Sequence, residues 1–203
     1  MDDVFRLSVE RFNEGERKWM MFEIDVPLAP LLSASKCSES SIVPVLETMI
    51  GNAIRRNYNV GDKTIIGYTP VDMRSVFRVK TGSNDSTTVA IPYRPVMDKY
   101  DLSKRYMFMR SILDIQIQPE NINIGLLDLT EKYRKVDSQP YPIESIVPVV
   151  KKKSVRVGGM TPYTYGLLYP GKISFPNQVE PFVDSIAISV SGCSSPLMIE
   201  ACE

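Results

Sequence analysis

Asp72 and Arg74 are the residues whose types and spacing suggest recognition chemistry. They close the segment Ile65-Ile-Gly-Tyr-Thr-Pro-Val-Asp-Met-Arg74. This segment reads as a strand that leaves the core through Pro70 and ends on Asp-x-Arg. On an extended strand, residues two apart point to the same face. A guanidinium so placed can grip a carboxylate through two parallel hydrogen bonds. The competing reading is a solvated strand end with no role beyond that.

Other chemistry is sparse. The chain has 203 residues and no histidine, so histidine-dependent acid–base or nucleophilic catalysis is excluded within it. Cys37, Cys193 and Cys202 are scattered, odd in number and without metal-ligand spacing. They point to a reducing, cytoplasmic compartment rather than a disulfide framework. Cys37 has no evident activating partner. There is no glycine-rich phosphate loop. Lys151, Lys152 and Lys153, with Arg156, form a basic run that could hold phosphates, although such runs are ordinarily solvated helix ends. Lysine plus arginine balances aspartate plus glutamate at 24 each, which gives no pull toward nucleic acid or an anionic membrane. No apolar run approaches the roughly 18 residues of a membrane span, and the acidic start is not a signal peptide.

The elements that must position these residues follow from periodicity. Arg17–Val26 reads as a strand ended by Pro27, and a short helix over Pro30–Ser35 follows. Ser40–Tyr58 is the clearest helix. Its Ile42, Val45, Leu46, Met49, Ile50, Ala53 and Ile54 recur every three or four residues. Ser41 suits the N-cap, Pro44 the first turn, and Arg55 and Arg56 the last turn. Lys63–Met73 reads as a buried strand, Thr81–Ser86 as a loop, and Thr87–Tyr93 as a β-branched strand. Leu102–Ile117 is a second amphipathic helix, interrupted at Pro119. Helices over Ile122–Val136 and Ile143–Val155 follow. Tyr163–Tyr169, Pro181–Val190 and Pro196–Cys202 read as strands. Met20, Met21, Met107 and Met109 read as core filling. The sum is a single domain of mixed α/β class, a mixed or antiparallel sheet with helices packed on it. The chain stops within its last predicted strand, so we expect a longer protein from which this one was cut, the alternative being a short edge strand at a natural end.

The order of these elements resembles the C-terminal half of the chloramphenicol-acetyltransferase-like superfamily. That group includes condensation domains of peptide synthetases, alcohol acetyltransferases and wax-ester synthases. Ser40–Tyr58 is similar to the helix that opens their second half. Gly67-Tyr-Thr-Pro-Val-Asp-Met-Arg74 is similar to their strand ending in Pro-Val-x-x-Arg. Gly82-Ser-Asn84 and the strand after it resemble their Gly-Asn crossover segment. Tyr165-Gly166 through Gly171-Lys-Ile-Ser-Phe-Pro176 resembles a late strand of the same half.

The resemblance implies a specific division of labour. Full-length members have two similar halves with a tunnel between them. Coenzyme A or a carrier protein's phosphopantetheine arm brings the acyl group from one side, and an alcohol or amine acceptor enters from the other. The catalytic His-His-x-x-x-Asp-Gly motif lies in the N-terminal half, which is missing here. Its Asp pairs with an Arg that by position would be Arg74, with Asp72 beside it. Gly82, Ser83 and Asn84 would belong to the crossover. Ser83, Ser86 and Thr87 would line the tunnel, though turn chemistry accounts for them equally well. The basic run Lys151–Lys153 with Arg156 would meet coenzyme A phosphates. Two other readings stand beside this one. The chain is a non-catalytic ligand- or carrier-binding domain that kept the fold, or it forms a homodimer that mimics the two-half enzyme.

Overall fold

A computed structural model describes residues 3–7, 24–37, 39–78, 80, 86–124, 127, 134, 163–173, 175–184 and 197–202. Helices α1 (Leu28–Cys37) and α2 (Ile42–Asn57) precede strand β1 (Ile65–Asp72) and the short helix α3 (Met73–Phe77). Strand β2 (Ser86–Tyr93), a 3-10 turn at Pro95–Lys99 and helix α4 (Leu102–Gln116) follow. Strand β3 (Tyr165–Leu168), a 3-10 turn at Glu180–Phe182 and strand β4 (Met198–Glu200) complete the described elements.

The four strands form one mixed sheet in the order β2-β1-β3-β4. The expected α/β class, with a mixed sheet and helices on it, is what the chain adopts. β1 is antiparallel to β2 from Ile65↔Tyr93 to Asp72↔Ser86. It is parallel to β3, which is parallel to β4. Two prolines sit in this ladder without breaking it. On the outer edge of β2, Ala90 N–H and C=O bond the Gln116 side chain, so Pro92, two residues on, also has its missing N–H on that edge. Ile66 N–H donates to Thr164 Oγ1 on the β3 side, and Pro70, four residues on, faces the same way. Each proline thus removes a donor that the β1–β2 ladder does not use.

The core lies where α2 and α4 cover the sheet. Ile54, Ile65, Val89, Ile91, Tyr93, Met97, Met109, Tyr165 and Leu167 form one buried cluster. α4 opens on Asp101, whose side chain accepts from Lys104 N at 2.9 Å, an N-cap that satisfies one orphan donor. Ser41 occupies the N-cap of α2 with extended backbone but makes no side-chain cap bond.

Several expectations need correcting. The buried face of α2 is rotated from the apolar stripe. It comprises Ile42, Pro44, Val45, Glu47, Thr48, Gly51 and Ile54, while Met49 is 45 % exposed and Ala53 is exposed. Thr48 is buried because its hydroxyl donates to Pro44 O at 2.7 Å. Gly51 is buried because the Tyr93 ring lies on it, at a distance where a Cβ would stand 2.6 Å from Cδ2. Met109 fills the core as expected, but Met107 is 56 % exposed. Pro119 does not merely interrupt. Residues 119–124 are helical, and Pro119 takes the first position, where no backbone donor is needed. Residues 180–182 form a 3-10 turn where a strand over Pro181–Val190 was expected, because Pro181 fixes φ in its first turn. Residues 24–27 have no regular structure. The rest of Arg17–Val26, the helix over Ile143–Val155, residues 185–190, Met20 and Met21 lie outside the described residues. No helix among the described residues is long and apolar enough to cross a membrane.

Candidate functional site

The strand does not run through Arg74. It ends at Asp72, whose carboxylate caps α3 by accepting from Arg74 N at 2.9 Å. The reason is local: an aspartate at an N-cap satisfies a donor that the strand would leave unpaired. Asp72 and Arg74 therefore meet through a turn rather than along one strand face. Arg74 Nε donates to Oδ1 at 3.0 Å and to Oδ2 at 3.2 Å, and Nη2 donates to Oδ2 at 3.1 Å. Ser75 Oγ tightens the turn by donating to Asp72 O at 2.7 Å. Arg78 closes α3 in the left-handed region at φ 53.

A grip of guanidinium on carboxylate thus exists inside this chain, with Asp72 as the carboxylate. Both side chains remain about half exposed. The Arg74 side-chain and backbone hydrogen bonds hold the Asp72 carboxyl below the usual carboxylate range. The pair lies at the end of the strand that pairs on both sides, where β1 hands the chain to the segment before β2. Its chemistry is that of an oriented, always-charged guanidinium, not of a proton donor or nucleophile.

Thr87 belongs to a cleft of about 350 Å³ at the outer edge of β2. Thr88 and Val89 form its strand wall, and Ile115, Gln116, Asn121 and Ile122 the opposite side. Gly82, Ser83, Asn84, Lys151, Lys152, Lys153 and Arg156 lie outside the described residues. Cys37 is a free, exposed thiol. Among the described residues no group of histidine, cysteine, aspartate or glutamate side chains is placed to hold a metal ion.

Two polar clusters were not anticipated. In the first, Glu47 on α2 is fully buried and accepts from Thr69 Oγ1 on β1 at 2.6 Å and from Tyr165 Oη on β3. Burial pushes the Glu47 carboxyl up to about 7, against the pull of those two bonds. Burial, then the neighbouring Glu47 charge and hydrogen bond, raises the Tyr165 phenol well above its ordinary range. A signal was present in the sequence. One turn either side of Glu47 stand Val43, Pro44, Ile50 and Gly51, none of which can solvate or pair a carboxylate.

In the second cluster, Arg105 on α4 donates from Nε to Tyr100 O at 2.8 Å, from Nη2 to Asp98 O at 3.0 Å and from Nη1 to Tyr93 Oη at 2.9 Å. Tyr93 Oη donates to Asp98 Oδ1 at 2.9 Å, and Arg55 on α2 pairs with Oδ2. Burial, with Asp98 adding to it, pushes the Tyr93 phenol up to about 12. These donors are engaged within the fold, so the cluster reads as a clamp between α2, β2 and α4.

No family model, no curated protein and no solved structure matches this chain.

Proposed function

We propose that this chain is the non-catalytic second half of a cytoplasmic acyltransferase built from two similar halves. In that assembly the base is supplied by the other half, since this chain has no histidine. The acyl group arrives on coenzyme A or a carrier-protein arm and leaves on a hydroxyl or amine. This half contributes a wall of the tunnel, the crossover segment and a brace at Arg74.

The observation that carries the reading is the oriented Arg74 at the end of β1, held by Asp72 through paired hydrogen bonds. An arginine with a rigid, planar set of donors suits a carboxylate presented from a facing domain. The succession of α2, β1 and β2 is the one the resemblance implies, although Arg74 stands in the short helix α3 rather than on the strand. The half-exposed position supports it too, because a brace between halves must be reachable from outside its own half.

The test is acyl transfer by the native protein that contains this chain, followed as free thiol released from acetyl-coenzyme A in the presence of a panel of alcohols and amines. Transfer is expected, and Arg74→Ala should reduce it at least about tenfold, equivalent to roughly 1.4 kcal/mol of transition-state stabilisation. No transfer to any acceptor, or an Arg74→Ala protein as active as the parent, would count against the reading.

A further inference from the structure

Glu47 is an ionisable group with no exposed surface, placed where helix α2 meets the centre of the sheet. Thr69 Oγ1 on β1 donates to Oε1, and Tyr165 Oη on β3 donates to Oε2. Gly67 leaves the space for the carboxylate, because a Cβ there would overlap it. Tyr165 Oη also lies 3.4 Å from the Glu47 carbonyl oxygen.

The surroundings supply no compensating cation among the described residues. β3 offers Tyr165, and β1 offers Tyr68, whose ring stacks on Tyr163. On β2, Tyr93 is bonded to Asp98 and Arg105. On α4, Arg105 is engaged by Tyr100, Asp98 and Tyr93, Arg110 pairs with Asp114, and Tyr106 is buried without a bond to Glu47. Lys36 lies in the last turn of α1. Of these, Tyr165 alone reaches the carboxylate.

The hydrogen bonds can be completed in both protonation states. When Glu47 is ionised, the two hydroxyls donate to its two oxygens. When Oε2 takes a proton from solvent, the carboxyl gains a donor. Tyr165 Oη can then accept it and turn its own hydrogen to the Glu47 carbonyl oxygen. The heavy atoms need not move. What differs is a charge on a fully buried group, which is costly when unpaired.

We propose that Glu47, Thr69 and Tyr165 form a proton-operated latch that ties α2 to β1 and β3 when Glu47 is neutral and loosens when it ionises. The proposal does not depend on the acyltransferase reading.

The experiment is infrared difference spectroscopy of the whole chain across a pH titration, beside Glu47→Gln and Tyr165→Phe. A carbonyl-stretch band of a neutral carboxyl should be lost with a midpoint near 7 and be absent from Glu47→Gln. In Tyr165→Phe the loss should move to higher pH, since the ionised form has lost a donor. Hydrogen exchange of α2 amides should accelerate over the same interval in the parent and stay flat in Glu47→Gln. Difference spectra shared by the parent and Glu47→Gln would overturn the proposal. So would exchange in α2 that does not follow the band. Should Tyr165→Phe not fold, the parent and the isosteric glutamine variant still decide it.

Discussion

Gly67 on β1 lies directly beneath the carboxylate of Glu47 on α2, so close that a Cβ built there would overlap Oε2. The glycine is what lets a helix carboxylate enter the sheet interior. Gly67→Ala must therefore displace Glu47 and disturb its bonds to Thr69 and Tyr165. Overpacking of this kind costs about 2 kcal/mol, seen as a lower midpoint in urea denaturation with unchanged slope. Gly61, with open space around it, is a poor comparison because its φ of +58 penalises a side chain for another reason.

Stability should fall as the pH rises toward neutrality. Glu47 moves from its ordinary 4.5 to about 7 on folding, so between those values the folded protein holds a proton that the unfolded chain has released. The stabilisation linked to that proton is fully present below about pH 4.5 and lost as the pH passes about 7. The shift corresponds to about 3 kcal/mol. Glu47→Gln should remove this slope, and denaturation at a series of pH values measures it.

Arg105 is the keystone of the second cluster, with its side chain only 14 % exposed. Arg105→Ala leaves Tyr93 Oη and two backbone carbonyls short of a donor, and should cost roughly 3 kcal/mol. Arg105→Lys should recover less than half of that loss, because one ammonium cannot reproduce a planar fork. Thermal or chemical denaturation of the two variants side by side checks the order.

Gln116 holds the outer edge of β2 by presenting an amide to Ala90 N–H and C=O. Gln116→Glu replaces a donor by a second acceptor facing the Ala90 carbonyl. It should cost about 2 kcal/mol, more than Gln116→Ala at about 1 kcal/mol. The Ala90 amide should exchange faster in both variants, which hydrogen exchange resolves residue by residue.

Arg74→Ala and Asp72→Asn should leave the denaturation midpoint of this chain nearly unchanged, because the pair is half exposed and its charges are already solvated. If the chain is half of an acyltransferase, as proposed, the same Arg74→Ala change lowers the activity of the whole. Stability and activity measured on one preparation separate the two effects.

Among the described residues, α2, α4, β1 and β2 were legible from periodicity, because apolar spacing marks the two helices and β-branched residues mark the two strands. Polar burial was the part that the apolar stripe alone did not show, although the neighbours of Glu47 one turn away carried a signal of it. Glu47, Thr48 and Gly51 read as the exposed side of α2, yet they are buried because Thr69, Tyr165, Pro44 and Tyr93 come from elsewhere to meet them. Hydropathy scores a residue alone, and these positions are decided by partners distant in sequence. The Asp72–Arg74 pairing was visible in the residue types. Its geometry was not, since an N-cap and a strand end use the same aspartate, and the turn into α3 wins by satisfying Arg74 N.

The proposed function requires a second, histidine-bearing half to complete this one. Mass spectrometric sequencing of the native polypeptide that carries this sequence, together with any chain that co-purifies with it, decides whether that half exists. A His-His-x-x-x-Asp-Gly segment is expected within roughly 100–200 residues upstream, or on a tightly bound partner. A native protein and its partners without that segment would contradict it.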